Sequence, residues 1–526
     1  MSTTPHTTAP AGKRHTWWAT IALVVACFAV AAYWTTRLDI GLYDETAYLQ
    51  RGIAIDTEGL PAADMAPLYS LWYRLLQVFW PDPVERYLVN LGFTIAVLPI
   101  LLFLVLRRVG VTLIAALATA IVVLVSTLNV LNWPRVSAFA LIILLLGIWL
   151  QAGTRSRDRG WAYLFCAVFI VVYIRPEFAI GVVGIVACWS VDVVGRVRSG
   201  TPFNFRPIVV SFIVALLLGL SLGSPFGHGR SMVAFGQHYA VNRINSSDTP
   251  MDPWTGWETI AQAELGTTTS LSDAITNAPD RVVWHLGYNL RHLLPTLGRM
   301  VLPAGTRLDR MAIVLLVLLT LLLLRQLFVA RPPLEHRSTP MALAVLSWSL
   351  PPLLAAFVIH PRQHYLIFPA ILLLLPLQAR IFSAHNKVPR WTSWATGMVA
   401  GAILFLSAGR SRDFSSRPTL ATIQVLRGIE LPAGPVVLDA DGGYATYMEH
   451  GSIRIPAQEK DTLFLPYITN REVNVIVASP RLEGDPRFKN DPTWKRFKED
   501  PGSHGFKLIT VQGTNVRLYV ASGPRP

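Results

Sequence analysis

The stretch YLVNLGFTIAVLPILLFLVL, residues 87–106, decides the class of fold. Its 20 residues include no charged side chain, and about 20 apolar residues in a helix are enough to cross the hydrocarbon layer of a bilayer. Arg107 and Arg108 follow directly, and short basic clusters of this kind accumulate on the cytoplasmic side of membrane proteins. The stretch therefore predicts a membrane-spanning helix that ends at the cytoplasmic face.

The rest of the chain repeats this pattern. Of its 526 residues, 52% are hydrophobic and only 15% are charged, which is too little charge for a soluble protein of this size. The basic residues fall in short loops between apolar runs, so membrane topology explains the net charge of +14 better than nucleic-acid binding does. We expect a multi-pass protein of the inner or plasma membrane, in contact with membrane lipids and without a nucleic-acid partner.

The basic clusters also predict the number of crossings. If all of them are cytoplasmic, an even number of helices separates each pair, and the apolar runs then fit a polytopic α-helical protein of about eleven spans. The first run, residues 17–33, lacks a cleavage site and is interpreted as a retained helix. We predict a transmembrane domain over residues 1–409 with a cytoplasmic N-terminus and two long external segments, residues 37–86 and 224–310.

The tail, residues 410–526, has a different character. Four stretches rich in Val, Ile and Leu predict β-strands, with helical or loop material between them: PVVLDA, VNVIVASP, FKLITV and VRLYVA. This indicates a soluble α/β domain on the periplasmic or extracellular side. Asp439 and Asp441, in VLDADGGY, are typical of a strand end followed by a turn.

Cysteine and histidine patterns indicate no metal site. Cys27, Cys166 and Cys188 all lie in apolar runs and are interpreted as packing residues rather than disulfide partners. The histidine spacings match no metal motif. We predict no cofactor, although the sequence leaves a divalent metal open.

The stretch GLYDETAYLQRG, residues 41–52, places two acids just beyond the first apolar run. Asp44 and Glu45 could simply begin a helix, because acids favour its first turn. A functional role is favoured by their position beside the membrane and by Tyr48, which would share a helical face with Asp44. The loop continues into PLYSLWYRLLQVFW, residues 67–80, which predicts a helix lying in the membrane interface.

Cations recur on the predicted outer side, where Arg should be scarce. A guanidinium binds phosphate in a fork, so an anionic lipid headgroup is a fitting partner. A nearby carboxylate could deprotonate an acceptor hydroxyl, and the arginines could stabilise the departing phosphate. The candidate substrate-binding residues, with their polar neighbours, are Tyr48, Arg74, Arg86, Arg135, Arg175, Glu177, Arg362, His364 and Tyr365.

These motifs resemble those of GT-C membrane glycosyltransferases, especially protein O-mannosyltransferase-like enzymes and lipid A aminoarabinose transferases. DETAYLQRGIA, residues 44–54, is similar to the acidic motif of their first external loop, and APLY, residues 66–69, to their Pro-Pro-Leu-Tyr segment, with Ala66 in place of Pro. Glu85-Arg86 and RQHY, residues 362–365, resemble further segments of the family. The chain departs from the family pattern after Arg135, where no acid follows.

The resemblance implies an inverting glycosyltransferase of the cell envelope that uses a polyprenyl-phosphate sugar donor. It implies Asp44 as the general base and Glu45 as a neighbour that orients it or binds substrate. The acceptor would be a lipid, a glycan or a protein. Members with this motif commonly require no divalent metal, and several carry an external α/β tail.

Three other functions remain open at this point. A ligase or oligosaccharyltransferase with a lipid-pyrophosphate donor would also use the arginines. A transporter or flippase of lipid-linked sugars is disfavoured because the acids lie outside the spans and the two halves are unlike. An inactive scaffold would keep the fold alone. Aromatic residues in segment 224–310, among them Trp254, could stack on sugars or lie in the interfacial belt.

Overall fold

A computed structural model describes nine segments of the chain, namely residues 12–131, 134–225, 230–247, 253–268, 270–302, 339–382, 416–431, 434–448 and 452–522. Its first part is helical, and its end carries a small β-sheet. The predicted domain boundary at residues 409–410 lies outside the described residues.

Helices make up the described part of the membrane domain. We label them in chain order as α1 (Gly12–Thr35), α2 (Asp44–Glu58), α3 (Pro67–Phe79), α4 (Pro83–Arg108), α5 (Leu113–Val125), α6 (Val136–Gly153), α7 (Arg157–Val172), α8 (Ala179–Arg198), α9 (Arg206–Leu222), α10 (Arg230–Ser247), α11 (Pro253–Leu265), α12 (Leu271–Asn277), α13 (Pro279–Val301), α14 (Thr339–Val358), α15 (Gln363–Leu372) and α16 (Leu374–Phe382).

Six helical stretches among the described residues are long and apolar enough to cross a membrane, so the chain is a membrane protein. They are Thr16–Thr35, Pro83–Arg108, Val136–Gly153, Pro176–Arg198, Thr339–Val358 and Gln363–Phe382. Three more predicted spans are the helices α5, α7 and α9, which have 13, 16 and 17 residues and are shorter than the usual span. The two remaining predicted spans, residues 311–324 and 391–407, lie outside the described residues.

Helix α4 lies at the centre of the bundle, against α1, α5 and α6. Leu98, Leu102 and Phe103 of α4 are fully buried. In contrast, α9 exposes Phe212, Leu217 and other large apolar side chains. Exposed apolar surface of this extent is costly in water but natural against lipid. The bundle thus has a packed interior and an apolar outer surface.

Helix α3 begins at Pro67, where the sequence predicts an interfacial helix. One face is buried through Tyr69 and Tyr73, whereas Leu75 and Val78 on the other face are exposed. A helix with one buried and one exposed apolar face, too short to span, suits the boundary between protein, lipid and water.

The tail folds into a five-stranded sheet: β1 (Val436–Asp439), β2 (Ile453–Pro456), β3 (Val475–Ala478), β4 (Phe506–Thr510) and β5 (Arg517–Ala521). The strand order is β2-β1-β3-β5-β4, with β1 parallel to β2 and β3, and β5 antiparallel to β3 and β4. The four predicted strands are confirmed. Strand β2 was not predicted, because its exposed Ile453 and half-buried Arg454 give no apolar run.

Helices pack against the sheet, and the tail contacts the loop that is predicted to be the first external one. Helix α17 (Pro418–Gly428) begins the domain, followed by α18 (Phe464–Asn470), α19 (Pro480–Gly484), α20 (Pro486–Lys489) and α21 (Pro492–Glu499). The tail domain has a hydrophobic core of its own, with Phe464, Trp494 and Tyr519 at its centre. The carboxylate of Asp39 accepts hydrogen bonds from the first-turn amides of α17 at 2.8 and 2.9 Å.

Candidate functional site

The two acids of the motif begin helix α2 but have opposite surroundings. The helix starts at Asp44, so both carboxylates lie in its first turn. Asp44 is exposed, whereas Glu45 is completely buried. Successive residues of a helix point about 100° apart, which directs one acid outward and the other into the core.

Glu45 is enclosed by hydrogen-bond donors. The hydroxyls of Tyr69 and Tyr73 both donate to its Oε1 at 2.5 Å, and the Asn90 side-chain amide donates at 3.1 Å. The backbone N–H of Arg135 donates to Oε2 at 2.7 Å. Burial raises the pKa of Glu45, and the bonds from the tyrosines and Arg135 oppose that rise. With both oxygens engaged, Glu45 suits the orienting role better than proton transfer with a substrate.

Arg135 belongs to the same buried cluster rather than to an open surface. Its side chain is almost fully buried, with Nε donating to the Thr94 hydroxyl at 2.8 Å and Nη1 to the Asn129 carbonyl at 2.5 Å. Burial lowers the pKa of its guanidinium to about 10. Arg135 thus contacts Glu45 through its backbone N–H, and its predicted role in substrate binding stays a prediction.

Asp44 and Arg362 are close enough to interact electrostatically. Arg362 precedes α15, and its guanidinium lies 4.8 Å from the centre of the Trp254 ring. Burial lowers the pKa of Arg362 below its ordinary value, and the electrostatic influence of Tyr365 and Asp44 only partly opposes that change. Among the described residues, the Arg362 side chain has no carboxylate in ion-pair contact.

A second guanidinium, that of Arg175, lies beside Tyr365 and Tyr48. Its Nε donates to Glu177 at 2.7 Å, and its charge lies 5.0 Å from the centre of the Tyr365 ring. Burial lowers the pKa of Arg175, but Glu177, Tyr365 and Tyr48 together raise it above its ordinary value. Tyr48 in turn packs edge-on against Tyr69.

His364 and two other imidazoles surround this turn. His364 is buried, with its ring 4.3 Å from that of Tyr365. The rings of His238 and His360 stack at 5.6 Å, and His238 also lies edge-on to Trp254 at 5.6 Å. Burial lowers the pKa of His238 to about 3 and that of His360 to about 4. The imidazoles of His238 and His360 are therefore neutral near pH 7.

Arg74 and Arg86 are not brought together with Asp44. Arg74 pairs with Asp56 at 2.8 Å. Arg86 is buried and donates to Gln77 at 3.1 Å and to the Pro81 carbonyl at 2.8 Å. Arg86 lines a cavity of about 940 Å³ between α2 and the tail domain. Their predicted role in substrate binding stays a prediction.

Several site residues were not predicted as such. Tyr69 and Tyr73 are one helical turn apart, and Asn90 is an isolated polar residue in the stretch that predicts α4. Those signals could have identified the partners of Glu45. No sequence signal joins Trp254 to Arg362, since that contact depends on how α11 folds over the turn before α15.

No family model matches the chain, and no curated protein matches it. Within the described segments, no group of three or more His, Cys, Asp or Glu side chains is arranged to hold a metal ion.

Proposed function

We propose that the chain is a membrane glycosyltransferase of the GT-C kind. It transfers a sugar from a polyprenyl-phosphate donor to a hydroxyl of a lipid, glycan or protein acceptor, on the outer face of the membrane. The full fold is then a GT-C-like bundle of about eleven spans, with the α/β tail on the same outer side as the acidic motif.

One observation carries this proposal. An exposed carboxylate, Asp44, lies near a guanidinium, that of Arg362, which is held by the face of Trp254 rather than by an acid. An aromatic face orients a guanidinium without neutralising its charge. Arg362 therefore keeps its forked donors available for an anion, while Asp44 keeps its lone pairs available for a proton.

The chemistry assigns separate roles to the two groups. The acceptor hydroxyl transfers its proton to Asp44 while the hydroxyl oxygen forms a bond to the anomeric carbon of the sugar. The bond between that carbon and the phosphate oxygen breaks, and its electron pair leaves with polyprenyl phosphate. Attack from the side opposite the phosphate inverts the anomeric centre. Arg362, and Arg175 beside Tyr365, stabilise the charge that develops on the leaving phosphate.

The test is transfer by purified full-length protein in nanodiscs. Radiolabelled polyprenyl-phosphate sugars are offered one at a time with a membrane extract as acceptor, with and without a chelator, beside a lipid-pyrophosphate glycan donor. We expect transfer from at least one monophosphate donor. Transfer from the pyrophosphate donor alone would indicate a ligase, and transfer from none would overturn the proposal.

A matched pair of variants assigns the base. Asp44→Asn should abolish transfer, whereas Glu58→Gln removes another exposed carboxylate of α2 and should leave it intact. Equal transfer by Asp44→Asn and wild type would contradict the role of Asp44.

A further inference from the structure

The residue before the acidic pair has an unusual backbone conformation. Tyr43 has φ 70° and ψ −121°, a region that side-chain-bearing residues rarely occupy. Such conformations persist only where the surroundings enforce them, and they concentrate at functional sites. The direction in which the chain enters α2, and hence the direction of Asp44, depends on whatever holds Tyr43.

The tail domain holds it. The Tyr43 N–H donates to the Gly442 carbonyl at 3.2 Å, and the Tyr43 hydroxyl donates to the Ala440 carbonyl at 3.2 Å. The guanidinium of Arg481 lies 4.5 Å from the centre of the Tyr43 ring. Backbone, hydroxyl and ring are thus all contacted by one domain that lies roughly 400 residues away along the chain.

The contact between the tail domain and the start of α2 is tightly packed. Gly442 and Gly443 have φ values of 83° and 127°, and a Cβ at these positions would lie 2.6 Å from Tyr43 Cδ1 and 2.7 Å from Thr46 Cγ2. Within the first turn of α2, the Thr46 hydroxyl forms a fully buried hydrogen bond of 2.9 Å with the Tyr447 hydroxyl. The loop of residues 440–447 therefore fits closely against the first turn of α2.

The loop of residues 440–447 is held by hydrogen bonds to Asp439. The buried carboxylate of Asp439, at the end of β1, accepts hydrogen bonds from the backbone N–H groups of Gly442, Gly443 and Tyr444 at 3.1 to 3.3 Å. Arg454 of β2 forms an ion pair with it at 3.0 Å. A carboxylate with several donors holds a turn in one conformation. The loop is therefore bonded to the sheet on one side and to the first turn of α2 on the other.

We propose that the loop of residues 440–447 is a positioning element that orients Asp44 through Tyr43 and Thr46. The tail domain is then part of the catalytic apparatus rather than an independent appendage. This inference rests on the proposed function for its kinetic consequence. The positioning itself has a readout that needs no activity, namely the protection of the α2 amides from hydrogen exchange.

The experiment compares Thr46→Val, which loses the hydroxyl but keeps the shape, with Thr46→Ser, which keeps the hydroxyl. Gly443→Ala adds the clashing Cβ. Arg471→Gln, which changes an exposed pair elsewhere on the same domain, is the control. Full-length proteins are measured for kcat and KM toward the donor, and for amide exchange of residues 42–50 by mass spectrometry.

We expect Thr46→Val and Gly443→Ala to lower kcat about tenfold or more with KM little changed, because small displacements of a catalytic group are costly. Both should speed exchange in residues 42–50, whereas Thr46→Ser and Arg471→Gln should resemble wild type. Unchanged exchange, or unchanged kcat in an active protein, overturns the inference. If wild type transfers no sugar, the proposed function fails and exchange alone decides whether the loop holds the first turn.

Discussion

At the scale of single residues, neighbouring carboxylates are divided between two tasks. Asp44 is exposed and has Arg362 nearby, whereas Glu45 is buried under donors from three helical segments. A buried acid with satisfied oxygens fixes structure, since leaving any of its donors unpaired is costly. An exposed acid remains available for chemistry. Sequence adjacency alone does not distinguish these tasks.

Removing one donor from Glu45 should weaken the fold. Tyr73→Phe deletes the hydroxyl that donates at 2.5 Å, and removing one partner of a buried hydrogen bond costs about 1–3 kcal/mol. We expect a lower midpoint of thermal unfolding in detergent. Tyr33→Phe, at an exposed tyrosine, is the control and should leave the midpoint unchanged. An unchanged midpoint for Tyr73→Phe would contradict the network.

The pH dependence of stability follows from the raised pKa of Glu45. Because the folded state holds this proton more tightly than the unfolded chain does, Glu45 contributes most stability below its ordinary pKa of 4.5. That contribution declines as pH rises through the higher folded pKa. The unfolding midpoint of wild type minus that of Glu45→Gln, which cannot titrate, should therefore fall as the pH rises above about 4.5. A difference that grows with pH would reverse the assigned direction.

At the scale of elements, α11 matters because it presents Trp254 to the turn before α15. The indole face lies 4.8 Å from the Arg362 guanidinium, so two segments that are distant in sequence build the proposed anion site. The sequence leaves segment 224–310, which is predicted to be external, between sugar stacking and an interfacial belt. In the proposal, its Trp254 ring orients Arg362.

Trp254→Leu should weaken donor binding while Trp254→Phe preserves most of it. Cation–π contacts contribute about 0.5–2 kcal/mol, which corresponds to about a 2- to 30-fold rise in KM for the donor. Steady-state kinetics of the two variants measure this directly. Equal KM values for Leu and Phe would show that the ring does not orient Arg362.

At the scale of the whole molecule, the account requires the tail domain and the acidic motif on one side of the membrane. With Cys27, Cys166 and Cys188 replaced by Ala, a single Cys at exposed Arg471 should react with a membrane-impermeant maleimide in intact cells. A single Cys at exposed Arg198, in a predicted cytoplasmic cluster, should react only after lysis. Labelling of both from outside would contradict the topology.

Sequence reasoning succeeded where the signal is local. Apolar runs such as residues 87–106 predicted spans, and the stretches of the tail rich in Val, Ile and Leu predicted four strands, because both depend on neighbours in the chain. Sequence reasoning did not predict the partners of Arg74 and Arg86, which are Asp56 for the first and Gln77 with the Pro81 carbonyl for the second. It also could not place the loop of residues 440–447 on Tyr43, because that contact is set by the packing of two domains.

The most direct test of the central claim is the rate of sugar transfer by Asp44→Asn at saturating donor, with equal unfolding midpoints for variant and wild type. General-base catalysis contributes about 100- to 10,000-fold, so the account predicts a loss of at least about 100-fold. Transfer by Asp44→Asn at the wild-type rate would contradict it, and would leave the acidic pair as the start of a helix alone.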